Sequence, residues 1–322
     1  MDSEVAGRLP RLAFAGSKTT TYECMQEFLD GGHRVDFLIT LTPEQGSRAQ
    51  VAGYMDLRPF AASRGIAVHH PKTYALKEEE DAAGILALGI DVLLVIGWQR
   101  LIPGWFLRKL RIGAFGMHGS SEPLPKGRGR SPMNWSLIEG KTRFLTHLFK
   151  YDEDVDSGAI VGVQEFDINP FDTAETLHFK NRIAMNRLLA QHLPRLVDGT
   201  AELTPQPDEE PTYYPKRTAE DGLIAWEKTT IEIYNLVRAV TRPFPGAFTY
   251  VGDRKFFIWR CQPFDGKLLY PAARPAEIVE VFYDGTFAVR TGDTSLLVLE
   301  YEGVPRESIR KGLRLRSSPE TA

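Results

Sequence analysis

The stretch DVLLVIGW, residues 91–98, decides the fold, because it is a nearly continuous run of apolar residues. Such a run is typical of a strand buried on both faces of a parallel sheet. Similar short runs lie on either side of it: LAFAG begins at Leu12, VDFLITLTP at Val35 and IGAFGMH at Ile112, with helix-like patterns between them. Alternating strands and helices predict an α/β fold with a mostly parallel sheet.

The second half of the chain has a different pattern. A predicted helix over residues 174–197 is followed by TPQPDEEPTYYPKRT, residues 204–218, whose prolines and charges are typical of a linker. Beyond it, short strands separated by turns predict a small β-barrel. We therefore expect a catalytic domain over residues 1–208 and a smaller domain over residues 209–322, ending in a frayed tail, RKGLRLRSSPETA.

Composition excludes several classes of protein. The chain has 322 residues, 43% of them hydrophobic, and a net charge of -3, so its overall charge does not favour nucleic acid. No stretch approaches the roughly 20 apolar residues that cross a bilayer. The N-terminus MDSEVAGRLP does not resemble a signal peptide, and Cys24 and Cys261 match no metal-ligand spacing. We expect a cytoplasmic protein with no metal.

Two motifs carry candidate chemistry. GMHGSSEPLPKGRGRSP places His118 at the end of a predicted strand, and VDSG places Asp156 in a loop. A histidine moves protons near neutral pH, and a nearby carboxylate orients its ring, as acyl transfer requires. On residue types alone, a hydrogen-bonded strand end and an ordinary turn explain the same residues.

These motifs resemble those of the folate-dependent formyltransferases, which include methionyl-tRNA formyltransferase and the sugar N-formyltransferases. The resemblance also covers VDSGAIV and RTAEDGLIAWEKTTIEIYNLVRAVTRPFPGAFTYVGDRKFFIW, and so most of the chain. It implies a Rossmann-like catalytic domain followed by an OB-like β-barrel. It also implies that a primary amine attacks the formyl carbon of 10-formyltetrahydrofolate as co-substrate.

The resemblance assigns residues to this reaction. It implies catalytic roles for His118, which would stabilise the oxyanion and move protons, and for Asp156, which would orient the histidine or relay a proton. Folate would be bound by residues after the strand at 91–98 and by the loop before Asp156: Ile96, Trp98, Gln99, Arg100, Leu101, Ile102, Asp152 and Val155. Phosphates of a nucleotide-linked substrate would meet Lys126, Arg128 and Arg130, whose alternative role is as solvated loop charges.

One position departs from the family. Its Asn-x-His motif has glycine, Gly116, in place of the asparagine that donates a hydrogen bond to the formyl oxygen. Losing such a donor costs about 100 to 1,000-fold in rate. Four interpretations of Gly116 are open. The backbone or a water approaches the oxyanion, or another side chain supplies the donor. Alternatively, the site accepts a bulkier acyl group, or the protein is inactive.

The stretch TLTPEQGSRAQVAGYMDLRP distinguishes the acceptors. Where methionyl-tRNA formyltransferase carries a basic insertion, this chain has only Arg48 and Arg58 as cations. We therefore expect a nucleotide-linked amino sugar, used in surface polysaccharide biosynthesis, rather than tRNA. Another acyl donor such as an acyl-CoA, tRNA formylation and an inactive binding homologue remain alternatives. Aromatic residues of the barrel, Phe256, Phe257 and Trp259, favour a homodimer.

Overall fold

A computed structural model describes residues 8–319. The chain divides into two compact units. The first unit contains the described residues through Arg128 together with Leu145–Phe166 and Lys180–Thr212. The second contains Gly129–Phe144, Asp167–Phe179 and the described residues from Tyr213 onward. The division at Asp208 stays a prediction.

Strands and helices alternate in the N-terminal part, and strands predominate after the last helix. The strands are β1 (Leu12–Ala15), β2 (Phe37–Ile39), β3 (Ala67–His69), β4 (Val92–Val95), β5 (Gly113–Ser120), β6 (Arg128–Gly129), β7 (Arg143–Lys150), β8 (Ile160–Asp167), β9 (Tyr213–Tyr214), β10 (Ala247–Val251), β11 (Arg254–Asp265), β12 (Ile278–Val281), β13 (Phe287–Arg290) and β14 (Ser295–Glu302). The α-helices are α1 (Thr19–Asp30), α2 (Pro43–Arg48), α3 (Arg58–Ser63), α4 (Glu79–Leu88), α5 (Gly104–Leu107), α6 (Pro132–Ile138), α7 (Ala174–Val197) and α8 (Thr230–Val240).

Seven strands form one sheet in the order β3-β2-β1-β4-β5-β7-β8. The first five pair in parallel, and β7 is antiparallel to β5. This arrangement confirms the predicted Rossmann-like, mostly parallel sheet. β1 and β4 are neighbours although they are distant in sequence, so the strand order reverses between them. Ligands of such sheets bind at the carboxyl ends of the strands beside this switch point.

Both faces of the parallel sheet are covered, which explains why its strands lack polar alternation. Phe14, Leu94 and Phe115 contribute to a core that includes residues of α1, α3 and α7. Their neighbours in the strands, including Ala15 and Val95, contribute to a second core with residues of α4 and α5. Since successive residues of a strand point to opposite faces, each strand supplies both cores.

The second unit contains a five-stranded antiparallel sheet in the order β10-β11-β14-β13-β12. Helix α8 begins with a capping box between Thr229 and Glu232. The predicted C-terminal antiparallel domain is therefore confirmed. Phe256 is fully buried in it, and the partly buried rings of Phe257 and Trp259 stack with centroids 5.7 Å apart.

The prediction of a frayed tail is wrong for the part that the structure describes. The N–H groups of Ile278 and Leu315 bond across to Leu313 and Ala276, and Arg316 exchanges two backbone hydrogen bonds with Tyr250. One segment thus pairs beside both edge strands, β10 and β12. The alternating sequence LRLR, residues 313–316, is the pattern of a strand. The last three residues of the predicted tail lie outside the described residues.

Across residues 8–319, no helix is both long and apolar enough to span a bilayer. The N-terminal stretch that bears on a signal peptide lies largely outside the described residues.

Candidate functional site

His118 is positioned by the extra length of β5. Val95, the last residue of β4, pairs with Gly116, so β5 continues beyond the carboxyl end of its neighbour. His118 lies in this extension and is 8% exposed. The sheet therefore presents a nearly buried imidazole at the edge where ligands of this architecture bind.

The structure brings His118 and Asp156 together. The imidazole Nδ1 lies 3.3 Å from the Asp156 Oδ2, and Nε2 lies 2.8 Å from the carbonyl oxygen of Gly127. Both ring nitrogens face oxygens that accept hydrogen bonds, so a ring protonated at both nitrogens donates to both. The pair can hold a proton, orient the ring and pass a proton to a group that displaces one of these partners.

The conformation of the Asp156 loop requires its glycine. A β-carbon on Gly158 would lie 1.6 Å from the carbonyl oxygen of Lys150, so no side chain fits there. Asp156 itself has φ +52°, in the left-handed region. The close return of the chain at Gly158 directs the Asp156 carboxylate toward His118, which gives the Asp-x-Gly spacing a structural reason.

Gln206 connects this loop to the glycine-rich loop after β5. Its Nε2 donates to the carbonyl oxygens of Asp156 at 2.7 Å and Gly158 at 2.9 Å, and its Oε1 accepts from Arg128 Nη2 at 2.6 Å. The sequence placed Gln206 in a proline-rich linker, and no local pattern marked it as a site residue. It is the residue that fixes the backbone of Asp156.

His147 supports His118 from the neighbouring strand. It pairs with His118 in the ladder, and its Nδ1 donates to the His118 carbonyl oxygen at 3.3 Å. Burial, with a smaller contribution from the neighbouring His118, lowers the pKa of His147 to about 4. His147 thus stays neutral near pH 7 and has a structural role. Sequence reasoning missed it, although its segment RFLTHLFKY alternates in the way that predicts a strand.

The segment after β4 contains most of the predicted folate residues. Ile96 is 2% exposed, and both of its backbone groups are bonded. Its N–H donates to the Ala15 carbonyl oxygen, and its carbonyl oxygen accepts from the Thr21 hydroxyl. Ile102 is also buried, whereas Leu101 is exposed. The segment therefore leaves the core at Ile96, crosses the edge of the sheet and returns to the core at Ile102.

Polar groups of this segment are left without partners. The buried indole N–H of Trp98 makes no hydrogen bond in the described chain. Tyr74 contacts the Trp98 ring edge-on at 4.7 Å and accepts the backbone N–H of Gln99 at 2.8 Å. Arg100 lies over the Tyr74 ring. Within residues 8–319, the backbone N–H groups of Trp98, Arg100, Leu101 and Ile102 make no hydrogen bond.

The two predicted folate residues of the other loop have different surroundings. Asp152 Oδ1 accepts from Ser157 Oγ and, at 3.1 Å, from the backbone N–H of Asp154, so this carboxylate organises its own loop. Val155 is 41% exposed.

The three predicted phosphate-binding cations also differ. Lys126 Nζ donates to the carbonyl oxygen of Glu210 and lies 3.8 Å from the Glu209 carboxylate. Arg128 donates to Gln206, as described above. Arg130 belongs to the second unit, where its backbone N–H bonds to Tyr214, and its side chain is exposed.

The space above Gly116 is filled. A β-carbon on Gly116 would lie 2.3 Å from Cε2 of Tyr151 and 2.8 Å from its hydroxyl oxygen. Gly116 therefore does not open a void beside His118. Among residues 8–319, no three His, Cys, Asp or Glu side chains converge on a possible metal position.

Comparisons with known proteins identify the family and agree with the fold. Residues 11–193 match the family described as formyl transferase, and residues 216–310 match the formyl transferase C-terminal domain. The two matches together span both units.

Solved structures with 17–18% identity share the fold. An N-formyltransferase from Helicobacter canadensis, in complex with folinic acid and dTDP-3-aminofucose, has a TM-score of 0.66 over 91% of this chain and 100% of its own. HypX from Aquifex aeolicus, in complex with tetrahydrofolic acid, has a TM-score of 0.63 over 92% of this chain but 45% of its own. Methionyl-tRNA formyltransferase from Clostridium thermocellum has a TM-score of 0.56 over 80% of this chain and 96% of its own.

Proposed function

The chain belongs to the formyl transferase family, and on that premise we propose that it transfers a formyl group from 10-formyltetrahydrofolate to the amine of a nucleotide-linked amino sugar. The contact of His118 with Asp156 at 3.3 Å carries this proposal. It supplies a proton-handling pair at the carboxyl edge of the parallel sheet, where ligands of such folds bind.

The segment after β4 suits a folate. A pterin ring needs backbone donors and acceptors in a flat slot. Within residues 8–319, the N–H groups of Trp98, Arg100, Leu101 and Ile102 and the buried indole N–H of Trp98 have no hydrogen-bond partner. A buried donor without a partner costs free energy that a ligand regains. Gln99 completes this segment, and Ile96 anchors it. Bound folate supplies the activated formyl carbon.

His118 and Asp156 divide the work of the reaction. As the amine attacks, His118 donates a hydrogen bond toward the oxygen that gains charge, and Asp156 holds the ring or accepts the proton released by the amine. Asp152 shapes the loop that carries Asp156, and Val155 is exposed on the same loop, where a folate can contact it. Gln206 keeps the loop backbone in place.

A formyl group is favoured over a larger acyl group. The ring of Tyr151 occupies the volume that the small Gly116 would otherwise leave open. A donor such as an acyl-CoA would need that volume for its longer chain.

The nucleotide-linked acceptor rests on the cations near the glycine-rich loop. Arg130 has an exposed guanidinium suited to a bidentate phosphate contact, and Lys126 and Arg128 also border this loop. A role in polysaccharide biosynthesis, a cytoplasmic location and a homodimer remain predictions that accompany this proposal.

One experiment tests the acceptor. Purified protein is incubated with 10-formyltetrahydrofolate and a panel of dTDP-, UDP-, GDP- and CMP-linked amino sugars, with methionyl-tRNA in parallel, and the products are analysed by mass spectrometry. We expect one formyl unit on an amino sugar. Formylation of the tRNA alone, or transfer of a larger acyl group from an acyl-CoA, would contradict the proposal.

A further inference from the structure

Tyr151 and Gly116 form a complementary pair beside His118. The hydroxyl oxygen of Tyr151 lies 2.8 Å from the place where a β-carbon of residue 116 would be. The amide nitrogen of an asparagine is two bonds from its own β-carbon and lies somewhat nearer to it than that. The phenol therefore brings a hydrogen-bond donor to the region that an asparagine at position 116 would reach.

The register of the sheet produces this overlap. Gly116 pairs with Phe149, and the N–H of Tyr151 bonds to the Ala114 carbonyl oxygen at 2.8 Å. Residues 149 and 151 point to the same face of β7 and its continuation, as do residues 114, 116 and 118 of β5. The Tyr151 ring is packed beside Phe149 with centroids 5.2 Å apart. It thus leans over Gly116 on the face that carries His118.

The Tyr151 hydroxyl is available as a donor. Within residues 8–319 it has no hydrogen-bond partner. Burial, with a further contribution from the Asp156 carboxylate, raises the pKa of Tyr151 above its ordinary value, so the phenol keeps its proton near pH 7. A phenol without a partner, close to a catalytic carboxylate, can donate a hydrogen bond to a bound ligand.

We infer that the Tyr151 hydroxyl donates the hydrogen bond to the formyl oxygen, a role that rests on the proposed function. The amine nitrogen forms a bond to the formyl carbon while the carbonyl π pair moves onto oxygen, and Tyr151 stabilises the charge without giving up its proton. The electron pair on oxygen then re-forms the carbonyl double bond, and the bond from the formyl carbon to N10 of the folate breaks. His118 transfers the proton lost by the amine to N10. Gly116 is then the partner that makes room for the phenol.

This arrangement predicts the effect of removing one hydroxyl group. Tyr151→Phe keeps the ring and its packing, so the midpoint of thermal unfolding should stay unchanged. Turnover should fall by about 100 to 1,000-fold, as for loss of an oxyanion donor. Tyr22→Phe is the matched control, because Tyr22 packs into the core on the opposite face of the sheet. Wild-type turnover in Tyr151→Phe would overturn the inference.

A binding measurement separates this inference from the proposed function. Calorimetry with 10-formyltetrahydrofolate and with tetrahydrofolate gives the preference for the formyl group without an acceptor. Wild type should prefer the formylated form by about fivefold, the value of one neutral hydrogen bond, and Tyr151→Phe should lose that preference. If wild type binds neither compound, the folate proposal fails and Tyr151 loses its role with it. If both proteins keep the preference, only the role of Tyr151 is refuted.

An exchange of the two residues gives a third readout. Gly116→Asn alone should not raise activity, because its side chain would collide with the Tyr151 ring. Gly116→Asn combined with Tyr151→Ala removes the collision and supplies an amide, so it should turn over at least tenfold faster than Tyr151→Ala alone, a fraction of the roughly 100-fold value of such a donor. Higher activity in Gly116→Asn alone than in wild type would contradict the pairing.

Discussion

The loop that carries Asp156 and the segment that follows β4 are opposite in their hydrogen bonding. Around Asp156, Gln206 bonds two carbonyl oxygens, Gly127 accepts from His118, and the carboxylate meets the imidazole. After β4, the indole N–H of Trp98 and several backbone N–H groups have no partner within residues 8–319. The first region is already assembled, as catalysis requires. The second offers donors to a ligand.

The assembled region is tested most strongly by His118→Ala. We expect turnover to fall by about 100 to 10,000-fold, because the proton-handling group is lost, while folate affinity stays close to that of wild type. His33→Ala is the matched control, since His33 precedes the amino end of β2, at the other edge of the sheet. Steady-state kinetics with the preferred acceptor give the turnover number, and calorimetry gives the folate affinity. Unchanged turnover in His118→Ala would remove His118 from the mechanism.

His147 predicts a pH dependence of stability. Its pKa is about 4 in the folded protein and near 6.5 when exposed, so the unfolded chain binds an extra proton between these values. Its contribution is therefore present above about pH 6.5 and is lost as pH falls toward 4, amounting to about 3 kcal/mol. Urea unfolding of wild type and His147→Asn at several pH values should show a shallower acid loss in the variant. Parallel curves would contradict this assignment.

Gln206 tests whether the assembly of the Asp156 loop matters for catalysis. Gln206→Ala removes its hydrogen bonds to the carbonyl oxygens of Asp156 and Gly158 and its contact with Arg128, each worth about 1 kcal/mol, so turnover should fall by about tenfold. Folate affinity should hardly change, because Gln206 acts by positioning Asp156. Gln26→Ala, on the exposed side of α1, is the control. A loss of stability with normal turnover would show that Gln206 is only structural.

Substitution of Trp98 has the smallest expected effect, and it tests whether the segment after β4 binds the folate. Trp98→Phe loses ring packing but no hydrogen bond, because its buried indole N–H has no partner in the described chain, so it should lower stability less than Trp226→Phe, while folate affinity should fall by about fivefold. Trp226→Phe is the opposite control. Trp226 is 1% exposed and donates to the Thr249 hydroxyl at 3.0 Å, so its loss should lower stability and leave folate affinity alone. The reverse pattern would contradict a ligand role for Trp98.

Much of this architecture could be predicted from the sequence, because apolar runs and helical periodicity are local signals. The bounds of α7 and the strand character of β4 agree with the patterns that predicted them. The pairing of residues 313–316 was missed although LRLR alternates, because a basic terminal segment was interpreted as frayed.

The candidate site was predictable only in part. His118 and Asp156 belong to motifs, and their contact follows from two loops that the motifs mark. Gln206 and Tyr151 could not be found in this way. Gln206 reaches Asp156 across 50 residues of chain, and Tyr151 reaches Gly116 only because β7 pairs with β5 in one register. Such contacts depend on long-range packing, which no local pattern encodes.

The central claim is that proton handling and donor binding belong to different regions, and one crossed measurement tests it. Turnover number and folate dissociation constant are determined side by side for wild type, His118→Ala and Trp98→Phe. We expect His118→Ala to lose turnover and keep folate affinity, whereas Trp98→Phe should lose folate affinity and keep turnover at saturation. If both variants lose the same quantity, or if His118→Ala binds folate weakly and turns over normally, the division is wrong.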